Sequence, residues 1–144
     1  RFSLALSVHA PGSSLDALVR ESLEIRHRVL SVSTGEGAAP ELGALVQVAG
    51  EGVVVASLKP AEPRAWVIAE EEVGAVRVIL RLYESRGIET LASVSGSGLS
   101  AWRVLDSQER GTDVAPAELR GGCIELPLGP FAVATLELVF HGAG

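Results

Sequence analysis

Four acidic residues of this 144-residue chain, Glu62, Glu84, Asp106 and Glu109, could by residue type take part in acid–base chemistry. Hydrolysis of a glycosidic bond needs two opposed carboxyl groups, roughly 5–5.5 Å apart in retaining enzymes and 6.5–9.5 Å apart in inverting ones. Sequence spacing does not show that any two of the four converge, and carboxylates at strand ends are commonly solvated. We therefore expect no catalysis by this chain alone.

The three histidines do not form a metal-binding pattern. His9, His27 and His141 are far apart, and neither H-x-x-x-H nor H-E-x-x-H spacing places two imidazoles around one ion. The single cysteine, Cys123, excludes an internal disulfide and fits a small buried apolar side chain. We expect no metal ligand and no cofactor in this chain.

Residues 96–101 (GSGLSA) match the G-x-G-x-x-A form of the dinucleotide-binding fingerprint. That fingerprint works because the N-terminus of a helix faces the pyrophosphate. No apolar helical pattern follows these residues, so a turn between two strands is the better interpretation.

The two tryptophans, Trp66 and Trp102, are candidates for carbohydrate stacking. An indole face suits the apolar face of a pyranose ring. Tryptophans more often fill the core of a sandwich or cover a loop, and this alternative stays open for both.

The charge and the aromatic content of the chain indicate which classes of partner to expect. Acidic residues outnumber basic ones by 18 to 12, the formal net charge is −6, and aromatic residues are 4% of the chain. Since this leaves neither a basic patch for phosphates nor a platform for stacked bases, we expect no nucleic-acid partner. No apolar run reaches the roughly 20 residues that cross a bilayer, so we expect no membrane partner and a soluble protein. The localisation that we expect is the bacterial cytoplasm.

Apolar residues alternate with a period of two through most of the chain, which predicts about nine short strands. The clearest run covers residues 76–82. One stretch, 14–22, has helical spacing, and an extended pattern returns over residues 23–29. Short glycine-containing links predict hairpins between neighbouring strands within residues 42–58 and 76–95, and a turn at Gly129-Pro130 joins the last pair of strands within residues 124–140.

These elements predict an all-β fold. Parallel strands need crossovers of a dozen or more residues, usually helical, and only one stretch could supply one. We therefore predict antiparallel strands arranged as a sandwich or a barrel, in a single domain over residues 1–144. The chain has no methionine and opens on Arg1, so we expect it to be a piece of a larger protein.

Two stretches resemble the signature of a known family. Residues 55–62 (VASLKPAE) are followed after a loop by residues 78–84 (VILRLYE). They are similar to the (V/L)-x-x-(L/I)-K-P-(A/S)-E and (I/V)-(L/V)-R-(L/F)-Y-E motifs of the C-terminal β-sandwich region of glycoside hydrolase family 38 α-mannosidases.

The resemblance extends in the same order to both ends of the chain. Residues 1–10 resemble the family's F-x-Y-A-L-x-P-H-x-G opening strand. Asp106 and Glu109, followed by LGPF at residues 128–131 and by Thr135, resemble its D-x-x-E … L-x-P-F-x-(I/V)-x-T ending.

The resemblance implies an antiparallel β-sandwich of about nine short strands with at most one short helix, at the C-terminal end of a larger enzyme. Such a parent hydrolyses α-mannosides with retention, using zinc and an aspartate nucleophile in an N-terminal domain that this chain does not contain. No catalytic residue and no zinc ligand carries over to any residue here. The implied partners are the parent's own catalytic domain and, through the parent, a mannose-containing carbohydrate, and a homo-oligomeric parent is allowed.

The resemblance also implies that certain residues contribute to the interface with the catalytic domain or to the rim of the substrate site. These candidates lie in the two central motifs: Lys59, Glu62, Arg81, Tyr83 and Glu84. Three functions stay open at this point. They are a non-catalytic accessory domain of an α-mannosidase, an autonomous carbohydrate-binding module that uses Trp66 or Trp102, and a structural or interaction sandwich.

Overall fold

Seven strands and one helix form the part of the chain described by the computed structural model, which covers residues 8, 11, 15–26, 45–62, 75–113 and 119–141. In chain order the elements are α1 (Leu15–Arg26), β1 (Gln47–Ala49), β2 (Val53–Pro60), β3 (Ala75–Glu84), β4 (Thr90–Ser95), β5 (Leu99–Leu105), β6 (Cys123–Leu128) and β7 (Val133–His141). The all-β fold with one short helix is confirmed.

The strands form two antiparallel sheets. One has three strands in the order β1-β4-β6, and the other has four strands in the order β2-β3-β7-β5. Every strand pair is antiparallel. The inner faces of the two sheets pack together as a β-sandwich.

The core lies between the sheets because alternate residues of each strand point inward. Leu82 of β3 and Leu136 of β7 meet Val94 of β4 and Ile124 of β6, and all four are fully buried. Trp102 of β5 belongs to the same cluster. The alternation over residues 76–82 matches β3, whose Val78, Leu80 and Leu82 point into this core; Val76 is exposed, and Ile79 is buried on the opposite face.

The helix extends beyond its predicted span of residues 14–22. It continues to Arg26, so the extended segment predicted from Leu23 is wrong over residues 23–26. Leu23 follows Val19 by four residues and continues the half-buried stripe of the helix, and the short alternation after it did not distinguish the two structures. Among the described residues, no helix is long and apolar enough to cross a bilayer.

Neither of the two predicted hairpins forms, and the last pair of strands is arranged in the same way. The pairs β1 and β2, β3 and β4, and β6 and β7 are consecutive in the chain, yet each pair is divided between the two sheets. Their short links cross from one sheet to the other at an end of the sandwich. Backbone bonds hold these crossings, since Ser85 N–H donates to Gly52 O at 2.9 Å and Glu84 N–H donates to Ala132 O at 2.9 Å. The glycine-rich links predicted turns correctly but not the strand partners. Of the strand predicted over residues 1–9 the structure describes only residue 8, which is not part of a strand, and residues 27–29 lie outside the described residues.

We expect Leu136→Ala to lower the free energy of unfolding by about 2–5 kcal/mol, because it removes a buried side chain and leaves a cavity. Val133→Ala, at an exposed position of the same strand, is the matched control and should change it by less than about 0.5 kcal/mol. Urea unfolding measures both. Equal effects of the two substitutions would contradict the assignment of the buried face.

Candidate functional site

A carboxylate after β5 faces two cations on β2 and β3. Lys59 Nζ lies 2.8 Å from Glu109 Oε1, and Arg81 Nη2 lies 3.9 Å from the same oxygen. Arg81 also donates from Nε to Thr135 Oγ1 at 3.2 Å and from Nη2 to the carbonyl oxygen of Ser107 at 3.3 Å. Lys59, Arg81 and Glu109 are named the Glu109 cluster below.

The register of the larger sheet brings this cluster together. Lys59 pairs with Ile79, and Arg81 pairs with Thr135 of β7, so the basic side chains project from the face of the sheet that points away from the core. All three charged side chains are partly exposed. Because water screens such pairs, each contributes only about 0.2–1 kcal/mol to stability.

Asp106 shapes the loop that presents Glu109. Asp106 Oδ1 accepts hydrogen bonds from the N–H groups of Gln108 and Arg110, both at 2.8 Å, and Oδ2 accepts one from Arg110 Nε at 2.9 Å. The N–H of Arg110 is the main reason why the pKa of Asp106 lies below its ordinary value, although partial burial opposes this shift. Within this loop Glu109 has a φ of 62°, which is uncommon for a non-glycine residue.

Glu84, at the end of β3, binds the backbone at one end of the sandwich. It is 1% exposed, and its carboxylate accepts four N–H groups. Oε1 accepts from Arg86 at 2.6 Å, and Oε2 accepts from Gly87 at 2.7 Å, from Ile88 at 3.3 Å and from Phe131 at 2.9 Å. These five residues are named the Glu84 clamp below.

The clamp holds Glu84 in its charged form. Burial alone raises the pKa of Glu84, but the four backbone donors, led by Phe131, lower it, and the pKa lies below its ordinary value. Since the N–H groups of the clamp occupy the carboxylate, Glu84 serves the backbone of its own chain rather than an open rim.

A second buried acid, Glu137 of β7, was not among the sequence-based candidates. It forms ion pairs with Arg77 of β3 and Arg103 of β5 on the outer face of the larger sheet. Arg103 lies directly opposite it across the strands. A lone glutamate between the buried Leu136 and Leu138 is a signal in the sequence that could have identified it.

The other interface candidates lie apart from the clamp. Tyr83 is half-buried on the outer face of the larger sheet, between Val54 and Val133 in neighbouring strands. Glu62 is exposed just after β2, and no contact given for the described residues joins it to the Glu109 cluster. Lys59 and Arg81 are thus the two candidates that the structure brings together.

The structure describes only one of the two candidates for carbohydrate stacking. Trp102 is 8% exposed and packs in the core, so it has no open face for a sugar ring. Trp66 lies outside the described residues, as do His9 and His27. In the described part of the chain, no group of three or more histidine, cysteine, aspartate or glutamate side chains could hold a metal ion.

Compared with known proteins, the chain matches no protein-family model, no curated protein and no solved structure. Function is therefore argued from the geometry of these clusters together with the motifs in the sequence.

We expect Glu84→Gln to lower the stability of the chain at neutral pH, because an uncharged amide is a weaker acceptor for four N–H groups. The folded-state pKa lies below the ordinary value of about 4.5, so the carboxylate's contribution is present above that pH and is lost as the pH falls towards the folded-state pKa. The stability difference between wild type and variant should therefore shrink in acid.

Chemical denaturation of both proteins from neutral pH to below about 4.5 measures this difference. Glu62→Gln is the control, since it makes the same change at an exposed position. If Glu84→Gln and Glu62→Gln have the same small effect at every pH, the clamp does not stabilise the fold.

Proposed function

We propose that this chain is the non-catalytic accessory β-sandwich of a glycoside hydrolase family 38 α-mannosidase. It packs against the catalytic domain of the parent and contributes to the rim of the active site. The parent hydrolyses α-mannosidic bonds with retention, and zinc supplies Lewis acidity in the catalytic domain. No residue of this chain is assigned to hold that metal.

The main support for this proposal is that residues from separate sequence motifs contact one another in the fold. Lys59 comes from the K-P motif, Arg81 from the R-L-Y-E motif and Glu109 from the D-x-x-E motif, and the three form one ion-pair cluster. In the same way, Glu84 of R-L-Y-E accepts the N–H of Phe131 from the L-x-P-F motif. Chance matches scattered along a sequence have no reason to contact one another, so this pattern supports a shared structural unit.

The outer face of the larger sheet is the surface assigned to the contact with the catalytic domain. It carries the Glu109 cluster, the ion pairs of Glu137 and the half-buried Tyr83. Interfaces between domains of one chain are more polar than obligate interfaces, which suits such a face. Because its acids already have cationic partners, it can be covered without burying an unpaired charge.

The direct test removes residues 1–144 from the parent enzyme. We expect the shortened enzyme to be insoluble or inactive towards p-nitrophenyl α-mannoside, because the catalytic domain would expose the surface that this sandwich covers. The 144-residue chain alone should be inactive with zinc added. A shortened enzyme that is soluble and fully active would contradict the proposal, as would a parent without a zinc-binding catalytic domain.

A matched pair of variants in the full parent tests the assigned surface. Lys59 lies on the outer face of the larger sheet, and Glu125 lies on the exposed face of the smaller one. Each is replaced by alanine. Lys59→Ala should lower the thermal stability of the parent more than it lowers that of the isolated chain, whereas Glu125→Ala should affect both equally. Equal effects of Lys59→Ala in the two settings would show that this face is not the interface.

A further inference from the structure

Phe131 displays its ring to solvent, unlike the other aromatic side chains that the structure describes. It is 70% exposed, whereas Trp102 and Phe140 are buried and Tyr83 is half-buried. A phenylalanine contributes to folding chiefly when its ring leaves water. The fold therefore gains little from Phe131 where it stands.

The ring is nevertheless held in a defined position. Phe131 has a φ of 55°, a left-handed conformation that is uncommon for a non-glycine residue, and its N–H donates to Glu84 Oε2 at 2.9 Å. The ring lies over Gly87, where an added Cβ would come within 2.6 Å of it. The turn is closed by a bond of 3.0 Å from Ala132 N–H to Gly129 O. A strained backbone that presents an exposed ring points to a binding role for that ring.

A shallow, open cleft of about 410 Å³ lies beside this turn. It is lined by Glu89, Thr90, Leu91, Pro127, Leu128 and Gly129. Gly129 precedes Phe131 by two residues, and Glu89 follows Gly87, on which the ring rests, by two. The turn that carries Phe131 therefore adjoins the cleft, although Phe131 itself is not one of the residues that line it.

We infer that Phe131 and this cleft form a binding site for one pyranose ring of a carbohydrate. The C–H face of the sugar packs on the face of Phe131, and Leu91 and Pro127 supply further apolar surface. Glu89 accepts hydrogen bonds from sugar hydroxyl groups, and the Thr90 hydroxyl donates or accepts another. This site goes beyond the accessory role proposed above and does not depend on it.

The surroundings of Phe131 favour a sugar over a protein partner. Leu91 lies on the outer face of the smaller sheet and Val133 on the outer face of the larger one, while the exposed Ile88 follows the glycine on which the ring rests. These exposed apolar side chains are single residues on different faces, whereas a stable protein interface buries about 800 Å² on each partner around an apolar centre. A single aromatic face beside a cleft with a carboxylate and a hydroxyl fits a ligand that has an apolar face and a polar edge.

The test is a titration of the ¹⁵N-labelled 144-residue chain with methyl α-D-mannopyranoside and methyl α-D-glucopyranoside, followed by NMR. At least one sugar should shift the amide signals of Gly87, Glu89, Gly129 and Phe131, with a dissociation constant on the order of 1 mM, because so small a ligand gains little free energy. Phe131→Ala should raise that constant at least about tenfold, and Phe131→Trp should retain binding.

Val133→Ala is the matched control, because it also shortens an exposed apolar side chain near the turn and should leave the constant unchanged. Unfolding curves of Phe131→Ala verify that the variant is folded, and Glu89→Gln, which leaves the turn intact, gives an independent loss of affinity. The inference is overturned if neither sugar shifts these amides up to about 100 mM. It is also overturned if Phe131→Ala and Glu89→Gln bind like wild type, or if the parent's catalytic domain shifts these amides and the sugars do not.

Discussion

The carboxylate of Glu84 joins three segments at one end of the sandwich: the end of β3, the link from β3 to β4, and the link from β6 to β7. A buried carboxylate is costly unless hydrogen bonds replace the water that it loses, and four backbone N–H groups do so here. Both links cross between the two sheets, so the clamp stabilises the arrangement of one sheet relative to the other. It also holds the strained backbone of Phe131.

Three of the four acids proposed by residue type, together with Glu137, order the chain in the structure. Glu84 and Asp106 accept backbone N–H groups and shape loops, while Glu109, in the loop after β5, and Glu137 of β7 pair with cations of the larger sheet. The ion pairs give the larger sheet a charged outer face, which is the surface that the proposed function assigns to the contact with the catalytic domain. The Glu84 clamp also fixes the backbone of Phe131.

Local patterns predicted the parts of this fold that depend on local physics. Alternation over β3 matches the side chains that point into the core, because side-chain direction follows directly from strand geometry. The hairpins failed because a short glycine link permits both a hairpin and a crossing between sheets, and the choice depends on contacts such as that of Ser85 with Gly52. Glu84 became a rim candidate through the family resemblance, and the sequence did not reveal its backbone partners because Phe131 is distant in the chain. Phe131 itself was overlooked, since no local pattern separates an exposed phenylalanine from a buried one.

The most direct test of the account is the pKa of the Glu84 side chain, measured from its carboxyl ¹³C chemical shift as a function of pH. The clamp predicts a value below the ordinary 4.5, with the amide protons of Gly87 and Phe131 shifting at the same midpoint because they donate to that carboxylate. A pKa at or above 4.5, or amides that do not follow the titration, would contradict the central role of Glu84.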